Sequence, residues 1–229
     1  MFCNLTVGMG VLERRAREKE ALRAKILEAT SRLLVEEGFE RASIRRIAEQ
    51  IEYSPATIYL YFKDKAELID AICEELFGQM VEVLGTAGDQ ETDPLKKLRV
   101  GIRAYIEFGI THPHHYLAVF GAPQRPYDIP AVDPKDPHRL GMEAFEVLRR
   151  ALRACIGFGV VPAGDAETIS HALWMCMHGI TSLMIMTSRG SRPVYSGMSQ
   201  DDRNHLIEAA LDLLMAGLKN CTLAHAHID

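Results

Sequence analysis

The 229-residue sequence contains none of the short motifs that mark common enzyme sites. It has no glycine-rich phosphate loop, no nucleophile elbow and no paired acidic motif, which argues against phosphoryl transfer and against nucleophile-elbow hydrolases. Strand-like alternation is also scarce, and nearly every apolar run has the three- and four-residue spacing of a helix. We therefore predict an all-α protein that uses no cofactor, no metal and no catalytic residues.

Cysteine is sparse and follows no pattern. The five cysteines are scattered along the chain without CxxC spacing, so reduced thiols in the cytoplasm are expected rather than a disulfide framework. The first eleven residues are apolar but lack the basic segment of an export signal. Met9 is an alternative to Met1 as the start of the protein.

An excess of positive charge is missing as well. The net charge is −5, which excludes a protein whose whole surface attracts nucleic acid. The acidic excess lies in residues 71–229, with 14 Lys/Arg and 19 Asp/Glu, whereas residues 1–70 carry 12 of each. Because a few cations suffice for phosphate attraction, the run from Arg14 to Lys25 is either a DNA-attracting face or a solvated helix face interleaved with glutamates.

One segment is free of charge over a length that could cross a bilayer. Residues 168–188 contain no Asp, Glu, Lys or Arg. They do contain eight serine, threonine and histidine residues, which is too much polarity for a confident span. A helix that is apolar all round is also expected deep in a soluble core or at an oligomer interface. We expect such an interface, and no membrane partner.

The segment from Ser43 to Lys65 is the most informative part of the sequence. Its first half places three isoleucines and Ala48 on one helical stripe. Its second half begins with Ser54-Pro55, a cap followed by a proline at the first helical position. Ile58 and Phe62 then provide inward anchors four residues apart. We predict a helix-turn-helix, which offers one helix end to the major groove of DNA.

Small polar and phenolic side chains occupy the outward arc of the second helix. The methyl group of Ala56 or Thr57 can meet a thymine methyl, and the Thr57 hydroxyl can bond a base or a phosphate. Tyr59 and Tyr61 are long, stiff donors suited to phosphate oxygens, and Lys65 is a cation at the start of the next helix. The alternative for both tyrosines is simple packing against neighbouring helices.

From about Arg23 to Leu76 the sequence resembles the DNA-binding domain of tetracycline-repressor-type (TetR family) regulators. The resemblance rests on Glu37-Gly38-Phe39, on the Ile47-Ala48 pair, and on the run TIYLYF at 57–62 followed by two lysines. It implies double-stranded operator DNA as a partner. With the start of the second helix included, the predicted DNA-binding residues are Ser43, Arg45, Ser54, Pro55, Ala56, Thr57, Tyr59, Tyr61 and Lys65.

The turn departs from the family pattern at two positions. The family usually has glycine and then a small apolar residue there, where this sequence has Glu52 and Tyr53. A left-handed conformation at Glu52 would cost about 1 kcal/mol. Its carboxylate would also bring negative charge near DNA phosphates, so we expect the contacts at the turn to differ from the family's usual set.

Outside the motif, caps and glycines divide the chain into further helices. Residues 13–64 are predicted to form the helix-turn-helix domain, and residues 65–222 an effector-binding and dimerisation domain. Residues 121–137, with five prolines, are predicted to form a surface loop. Beside the two motif helices, the predicted helices are about Glu13–Glu37, Asp64–Leu84, Pro94–Thr111, Pro113–Phe120, Pro137–Gly157, Asp165–Ser188 and Ser199–Asn220.

The last two helices are the predicted dimer surface. The penultimate helix is uncharged from residue 168 onward, and the last has a continuous apolar edge. By the family resemblance, these helices pair with their mates in a four-helix bundle of a homodimer. The predicted interface residues are Met177, Leu206, Ala210, Leu213, Leu214 and Gly217.

Aromatic, flexible and hydrogen-bonding side chains in the central helices suggest a pocket for a small-molecule effector. Such groups line ordinary ligand cavities, but they also fill ordinary cores, so both interpretations stay open. The segment from Trp174 to Gly179 resembles a Trp…His-Gly signature of one branch of the family. The predicted pocket residues are Tyr105, Phe108, His112, His115, Tyr116, Phe120, Met142, Phe145, Trp174 and His178.

We therefore predict a homodimeric repressor that a small, largely apolar or aromatic effector releases from its operator. The clustered histidines at 112, 114 and 115 suggest a metal-responsive regulator as an alternative. However, no cysteine or carboxylate lies at a spacing from them that is typical of a zinc site. An all-α enzyme that uses His112 or His178 as a base is a second alternative. A helical interaction module without base preference is a third.

Overall fold

The computed structural model describes residues 5–121, 139–188 and 197–221. Within these ranges the chain forms nine helices and no strand, which confirms the predicted all-α class. The predicted proline-rich loop lies outside the described residues, apart from Gly121, and so does the expected start of a helix at Pro137. The helices are α1 (Leu5–Glu37), α2 (Ile44–Ile51), α3 (Pro55–Tyr59), α4 (Lys65–Thr86), α5 (Pro94–Thr111), α6 (Pro113–Gly121), α7 (Arg139–Gly157), α8 (Ala166–Ser188) and α9 (Gln200–Lys219).

The described helices fall into two compact units. The first unit contains α1, α2, α3, α6 and the part of α4 up to Cys73; the second contains α4 from Glu74 onward, α5, α7, α8 and α9. The first unit therefore continues beyond residue 64, the expected end of the helix-turn-helix domain, and takes in the opening turns of α4.

The first unit is held together by one apolar cluster beneath α2 and α3. Ile47, Ala48 and Ile58 are each 0% exposed and pack in a cluster that includes Ile26 of α1 and Phe62. Full burial of an isoleucine side chain contributes about 1.5–3 kcal/mol, so α3, with five residues, depends on this packing. The predicted inward residues of α2 and α3 are confirmed.

Serine caps begin α2 and α3, and one strained residue lies in the turn between them. The Ser43 hydroxyl accepts the Arg46 N–H at 3.3 Å, and the Ser54 hydroxyl accepts the Thr57 N–H at 3.2 Å. Glu52 has φ 61° and ψ 41°, the left-handed conformation that ends α2. The structure confirms the expected strain at a position where a glycine would be free of it.

The first helix begins at Leu5, eight residues before its expected start. No proline interrupts the sequence between Leu5 and Glu13, so helical geometry continues outward. Every residue from Gly10 to Ala21 is exposed, and Arg14 pairs with Glu18 one turn later at 3.5 Å. This part of α1 is a solvated charged helix in the single chain.

In the second unit α5 packs against α7, α8 and α9. Leu98 and Ile102 of α5 and Leu152 of α7 are at most 2% exposed and form part of its core. Ion pairs from Arg99 and Arg103 to Glu208 join α5 to α9. The unit is therefore built from helices that are far apart in the sequence.

Helix α8, which carries no charged residue after Glu167, is long and apolar enough to span a bilayer, with a mean hydropathy of 1.3 over Ala166–Met186. In the structure it packs against α5, α7 and α9. Its polar side chains are satisfied by its own backbone: the Ser170 hydroxyl donates to the Ala166 carbonyl at 2.6 Å, and the Thr181 hydroxyl donates to the Met177 carbonyl at 2.8 Å. These contacts agree with the expectation of a helix packed in protein.

Candidate nucleic-acid interface and ligand cavity

The outer side of α3 is free while its inner side is buried. Ser54, Pro55 and Ala56 are exposed, and Tyr59 is 56% exposed next to the fully buried Ile58. The start of the helix and its phenol are thus presented on one outward surface. Side chains of this size and polarity suit base edges and phosphates.

Thr57 is half-buried and shares a hydrogen bond with the N-cap of its own helix. Its hydroxyl lies 2.9 Å from the Ser54 hydroxyl, which also accepts the Thr57 N–H. A hydroxyl bonded in this way can still accept or donate one further hydrogen bond. Ser54 and Thr57 therefore order each other at the tip of α3.

Tyr61 differs from the outward position expected from a helical wheel. Because α3 ends at Tyr59, Tyr61 follows a turn rather than the helical arc, and it packs against the apolar cluster of the first unit. The packing alternative fits this tyrosine better than the groove-facing one. Tyr59, in contrast, lies on the outer side.

Lys65 is engaged by the end of α1 rather than free. Its ammonium group donates to the Phe39 carbonyl and lies 3.8 Å from the centre of the Phe39 ring. Burial lowers the pKa of Lys65, and the charge of Glu40 opposes this shift only in part. Lys63, an exposed cation outside the predicted set, is the freer of the two lysines.

The start of α2 carries two exposed arginines, Arg45 and Arg46. The Arg45 side chain is 83% exposed and pairs with Glu49 at 3.1 Å. Arg46 pairs with Glu37, and this hydrogen bond raises the pKa of the arginine. An exposed ion pair of this kind is weak, so Arg45 can exchange Glu49 for a phosphate.

A cavity of about 540 Å³ lies within the second unit, between the end of α4, α5, α7 and α8. Its volume falls in the range of small-molecule sites. The buried part of its wall is apolar and includes Leu84, Leu98, Ile102, Leu148 and Met177, whereas Lys97 and Arg150 are its cationic residues.

None of the ten predicted pocket residues lines this cavity. Tyr105, Phe108 and Tyr116 are at most 5% exposed and belong to the cores, while Met142 is 61% exposed. The remaining aromatic and histidine residues form local ring pairs, and the predicted set is divided between the two units. The ring pairs are Phe108–His112, Tyr116–Phe120, Phe145–His171 and Trp174–His178, with His115 beside Glu28.

The cavity residues escaped prediction because aliphatic side chains of α5 and α7 are ordinary core residues by sequence. A usable signal is Gly101, a glycine inside a helix. Such a glycine weakens the helix relative to alanine, and here an added Cβ atom would meet no other atom within 4 Å.

Trp174 and His178 share one helical face and stack, as expected from their spacing. Their ring centres are 5.7 Å apart with an interplanar angle of 23°. The Nε2 atom of His178 lies 3.4 Å from the Ser182 hydroxyl, and burial lowers the pKa of His178. These contacts describe a histidine packed in the fold.

The predicted dimer surface is exposed in part. Leu213 is 76% exposed, Leu206 is 39% exposed and Gly217 is exposed, while Ala210 and Leu214 are half-buried.

Met177 departs from that expectation, because it is 3% exposed and lines the cavity. It lies on the side of α8 that faces its own chain, so it is removed from the surface. Met175 is an exposed apolar residue of the same helix, 65% exposed.

The histidine cluster is arranged around one carboxylate. The Nδ1 atoms of His114 and His115 lie 3.5 Å and 3.4 Å from the two carboxylate oxygens of Glu28. Among the residues that the structure describes, no group of three or more His, Cys, Asp or Glu side chains is placed to hold a metal ion.

Comparison with known protein families gives two matches that follow this architecture. A family profile described as "Bacterial regulatory proteins, tetR family" matches residues 26–72, which contain α2 and α3. A second, described as "Tetracyclin repressor-like, C-terminal domain", matches residues 98–214, just over half of the chain.

Curated relatives match this chain over part of their length. The fatty acid metabolism regulator protein of Bacillus subtilis is 26% identical over 103 residues, which are 45% of this chain and 52% of the relative. The transcriptional repressor AcnR of Corynebacterium diphtheriae is 36% identical over 66 residues, 29% of this chain and 35% of the relative. The matched stretches thus span about half or less of these proteins.

Solved structures share the fold over most of the chain. A TetR family transcription regulator from Marinobacter aquaeolei VT8 superposes with a TM-score of 0.66 at 20% identity, covering 89% of this chain and 98% of that one. FadR from Bacillus subtilis, in complex with stearoyl-CoA, gives a TM-score of 0.66 at 19% identity, covering 85% and 98%.

Proposed function

Because this chain belongs to the tetR family of bacterial regulatory proteins, we propose that it is a sequence-specific DNA-binding transcriptional regulator. The observation that carries the proposal is the free outer side of α3, where the exposed Tyr59 adjoins the fully buried Ile58. A helix fixed on its inner side can enter a groove without rearrangement of its domain. The matched relatives bear the names of regulators, so we assign regulation rather than catalysis.

In this proposal the start of α3 reads bases and its surroundings bind the DNA backbone. Ala56 and Thr57 offer methyl groups to thymine, and the Thr57 hydroxyl offers one further hydrogen bond. The Tyr59 phenol, the Ser43 hydroxyl and the exposed Arg45 guanidinium serve phosphate oxygens.

Two lysines also contribute to phosphate binding in this proposal, one as it stands and one only after it leaves its present contacts. Lys63 is exposed and needs no rearrangement. Lys65 contributes only when its ammonium group leaves the Phe39 carbonyl and ring, which makes it the weaker candidate.

We assign the active form to a homodimer that uses the exposed apolar surface of α8 and α9. One short helix contacts too few bases for useful discrimination, and two-fold pairing sets the reading helices about 34–36 Å apart, one turn of DNA. Leu213 and Met175, 76% and 65% exposed, would be covered by the second copy.

The proposed regulator is a repressor that a small, largely apolar effector releases from its operator. We place the effector in the cavity of the second unit rather than among the predicted aromatic residues, because that cavity has a suitable volume and an apolar wall. To turn occupancy from mostly bound to mostly free, the effector must prefer the released state by about 5.5 kcal/mol.

Helix α4 is the proposed connection between effector and DNA. It begins at Lys65, shortly after α3, and its Leu84 and Gly85 line the cavity at the other end. A ligand that favours a different position of this end would move the opening turns of the same helix. The protein would act in the bacterial cytoplasm, on the nucleoid while bound to its operator.

Within the family, we place the chain in the branch with a Trp…His-Gly signature. The support is local: Trp174 and His178 stack on one face of α8, and Gly179 follows at once. The branch identifies no effector by itself.

The test is a selection of random DNA fragments by the purified full chain, followed by sequencing and by affinity measurements at fixed salt. We expect one enriched two-fold symmetric sequence whose affinity exceeds that for scrambled DNA by about a thousandfold or more. Equal affinity for both DNAs would overturn the proposal and favour a helical module without base preference.

A further inference from the structure

The wall of the cavity combines an apolar interior with two cations. Leu98, Ile102 and Met177 are at most 3% exposed and form its depth. Among the residues that the structure describes, the charged members of the wall are Lys97 and Arg150, and no aspartate or glutamate lines it. A ligand that complements this wall has an apolar body and a negatively charged end.

Arg150 is the more available of the two cations. Its Nε donates to the Glu146 backbone carbonyl at 3.4 Å. Among the described residues, no carboxylate lies within ion-pair distance of its guanidinium. A cation in this state can bind an anion without first giving up an ion pair.

Lys97 is held by a single exposed carboxylate. Its ammonium group lies 3.2 Å from Asp89, and the two side chains are 44% and 60% exposed. Exposed pairs of this kind are weak, so a ligand anion can replace Asp89 when its apolar part is anchored in the cavity.

Gly101 lines the cavity without adding a side chain to it. It lies inside α5, about one turn after Lys97 and next to Ile102. A Cβ atom added at this position would lie within 4 Å of no other atom. Neither a turn nor a close contact demands glycine here, although glycine disfavours the helix. The missing side chain leaves room in the cavity next to its charged end.

We infer that the cavity binds an anionic amphiphile, with the apolar body against α5, α7 and α8 and a carboxylate or phosphate head at Lys97 and Arg150. This assignment rests on the proposed function only in calling the ligand an effector, since binding itself requires no DNA. A cationic amphiphile is disfavoured by both side chains, and a neutral one leaves them unused.

Calorimetric titration of the full chain without DNA tests this charge preference. The probes share one chain length: decanoate, decanol, decyltrimethylammonium and decanoyl-CoA, with coenzyme A alone as a further control, all below their micellar concentrations. We expect decanoate to bind about tenfold more tightly than decanol, and the ammonium probe to bind most weakly. Comparison of decanoate with decanoyl-CoA distinguishes a carboxylate head from a phosphate-bearing one.

Variants locate the site. Arg150→Gln and Lys97→Gln should each weaken the anionic probes about threefold and leave decanol unchanged. The controls Arg153→Gln and Lys96→Gln change neighbouring exposed cations that do not line the cavity, and should change nothing. Gly101→Phe should block every probe by filling the space.

The outcomes separate this inference from the proposed function. Equal binding of decanoate and decanol, unchanged binding in Arg150→Gln and Lys97→Gln, or full binding in Gly101→Phe would overturn the inference. Absence of binding by every probe to the folded wild-type chain would overturn it too. Each result leaves the DNA selection unaffected, because a regulator can bind its operator while a ligand of another class occupies the cavity.

Discussion

The outer surface of α3 and the cavity of the second unit are built in opposite ways. At α3 a few neighbouring residues bury one side and expose the other, with Ile58 0% and Tyr59 56% exposed. The cavity is enclosed by α4, α5, α7 and α8, which are far apart in the sequence. A substitution on the outer side of α3 can therefore alter binding without altering stability, whereas one at a buried residue of the cavity wall affects both.

The largest effect is expected from truncating two buried aliphatic side chains, one packed on all sides and one beside the cavity. Ile58→Ala removes a side chain that is surrounded on all sides and should lower the free energy of unfolding by about 3–5 kcal/mol. Leu148→Ala changes a residue that already borders the cavity, so fewer contacts are lost and about 2 kcal/mol is expected. Denaturant unfolding of both variants measures the two values, and equal losses would contradict the proposed difference in packing.

Separating the two copies of the proposed dimer should weaken DNA binding and leave ligand binding by each chain unchanged. Leu213→Arg places a charge in the proposed interface and should weaken dimerisation by about 3 kcal/mol, more than a hundredfold. Sedimentation velocity checks this, with His205→Arg as the control on the exposed side of the same helix. Affinity for the operator should fall with dimerisation while cavity binding per chain is retained. A Leu213→Arg protein that still sediments as a dimer would contradict the interface.

Removal of one phenolic hydroxyl should affect DNA alone. Tyr59→Phe keeps the ring and deletes the proposed donor to phosphate, so operator affinity should fall by about 1.5 kcal/mol. Because the side chain is largely exposed, the free energy of unfolding should change by less than about 0.5 kcal/mol. Affinity for operator and scrambled DNA should fall by the same factor. Unchanged affinity would remove Tyr59 from the phosphate contacts.

The sequence predicted the α3 side of this comparison well and the cavity poorly, for a physical reason. Caps, the proline at the first helical position and the spacing of Ile58 and Phe62 are local signals, and each is present in the structure as expected. Tyr61 was placed less well because α3 ends two residues earlier.

The cavity depends on which helices meet, and periodicity alone does not supply that information. Phe108 and Tyr105 have the composition of pocket residues, yet they fill the core. Met177 lies on the unexpected side of α8 because the packing of α8 against α5 and α7 decides which of its faces is buried.

A smaller effect concerns pH and belongs to the second unit alone. Burial lowers the pKa of His178 below its ordinary value of 6.5, so the unfolded chain binds the proton more readily than the folded one. Stability is therefore complete above that value and is lost as the pH falls through the folded pKa. His178→Gln should reduce the loss in unfolding experiments between pH 7 and pH 5. Identical pH dependence of unfolding in the wild type and in His178→Gln would contradict the assignment of this loss to His178.

The smallest effect separates backbone strain from charge at the turn before α3. Glu52 adopts φ 61°, so Glu52→Gly should relieve about 1–2 kcal/mol of left-handed strain. Glycine also loses more backbone entropy on folding than glutamate, which costs about 0.5–1 kcal/mol. The free energy of unfolding should therefore rise by a net value of about 0.5 kcal/mol. Glu52→Gln keeps the strain and removes only the negative charge, so its stability should match the wild type. Both variants should bind DNA more tightly by the same factor if the carboxylate repels phosphates. If only the glycine variant gains affinity, the strained turn rather than the charge limits how α3 meets the groove.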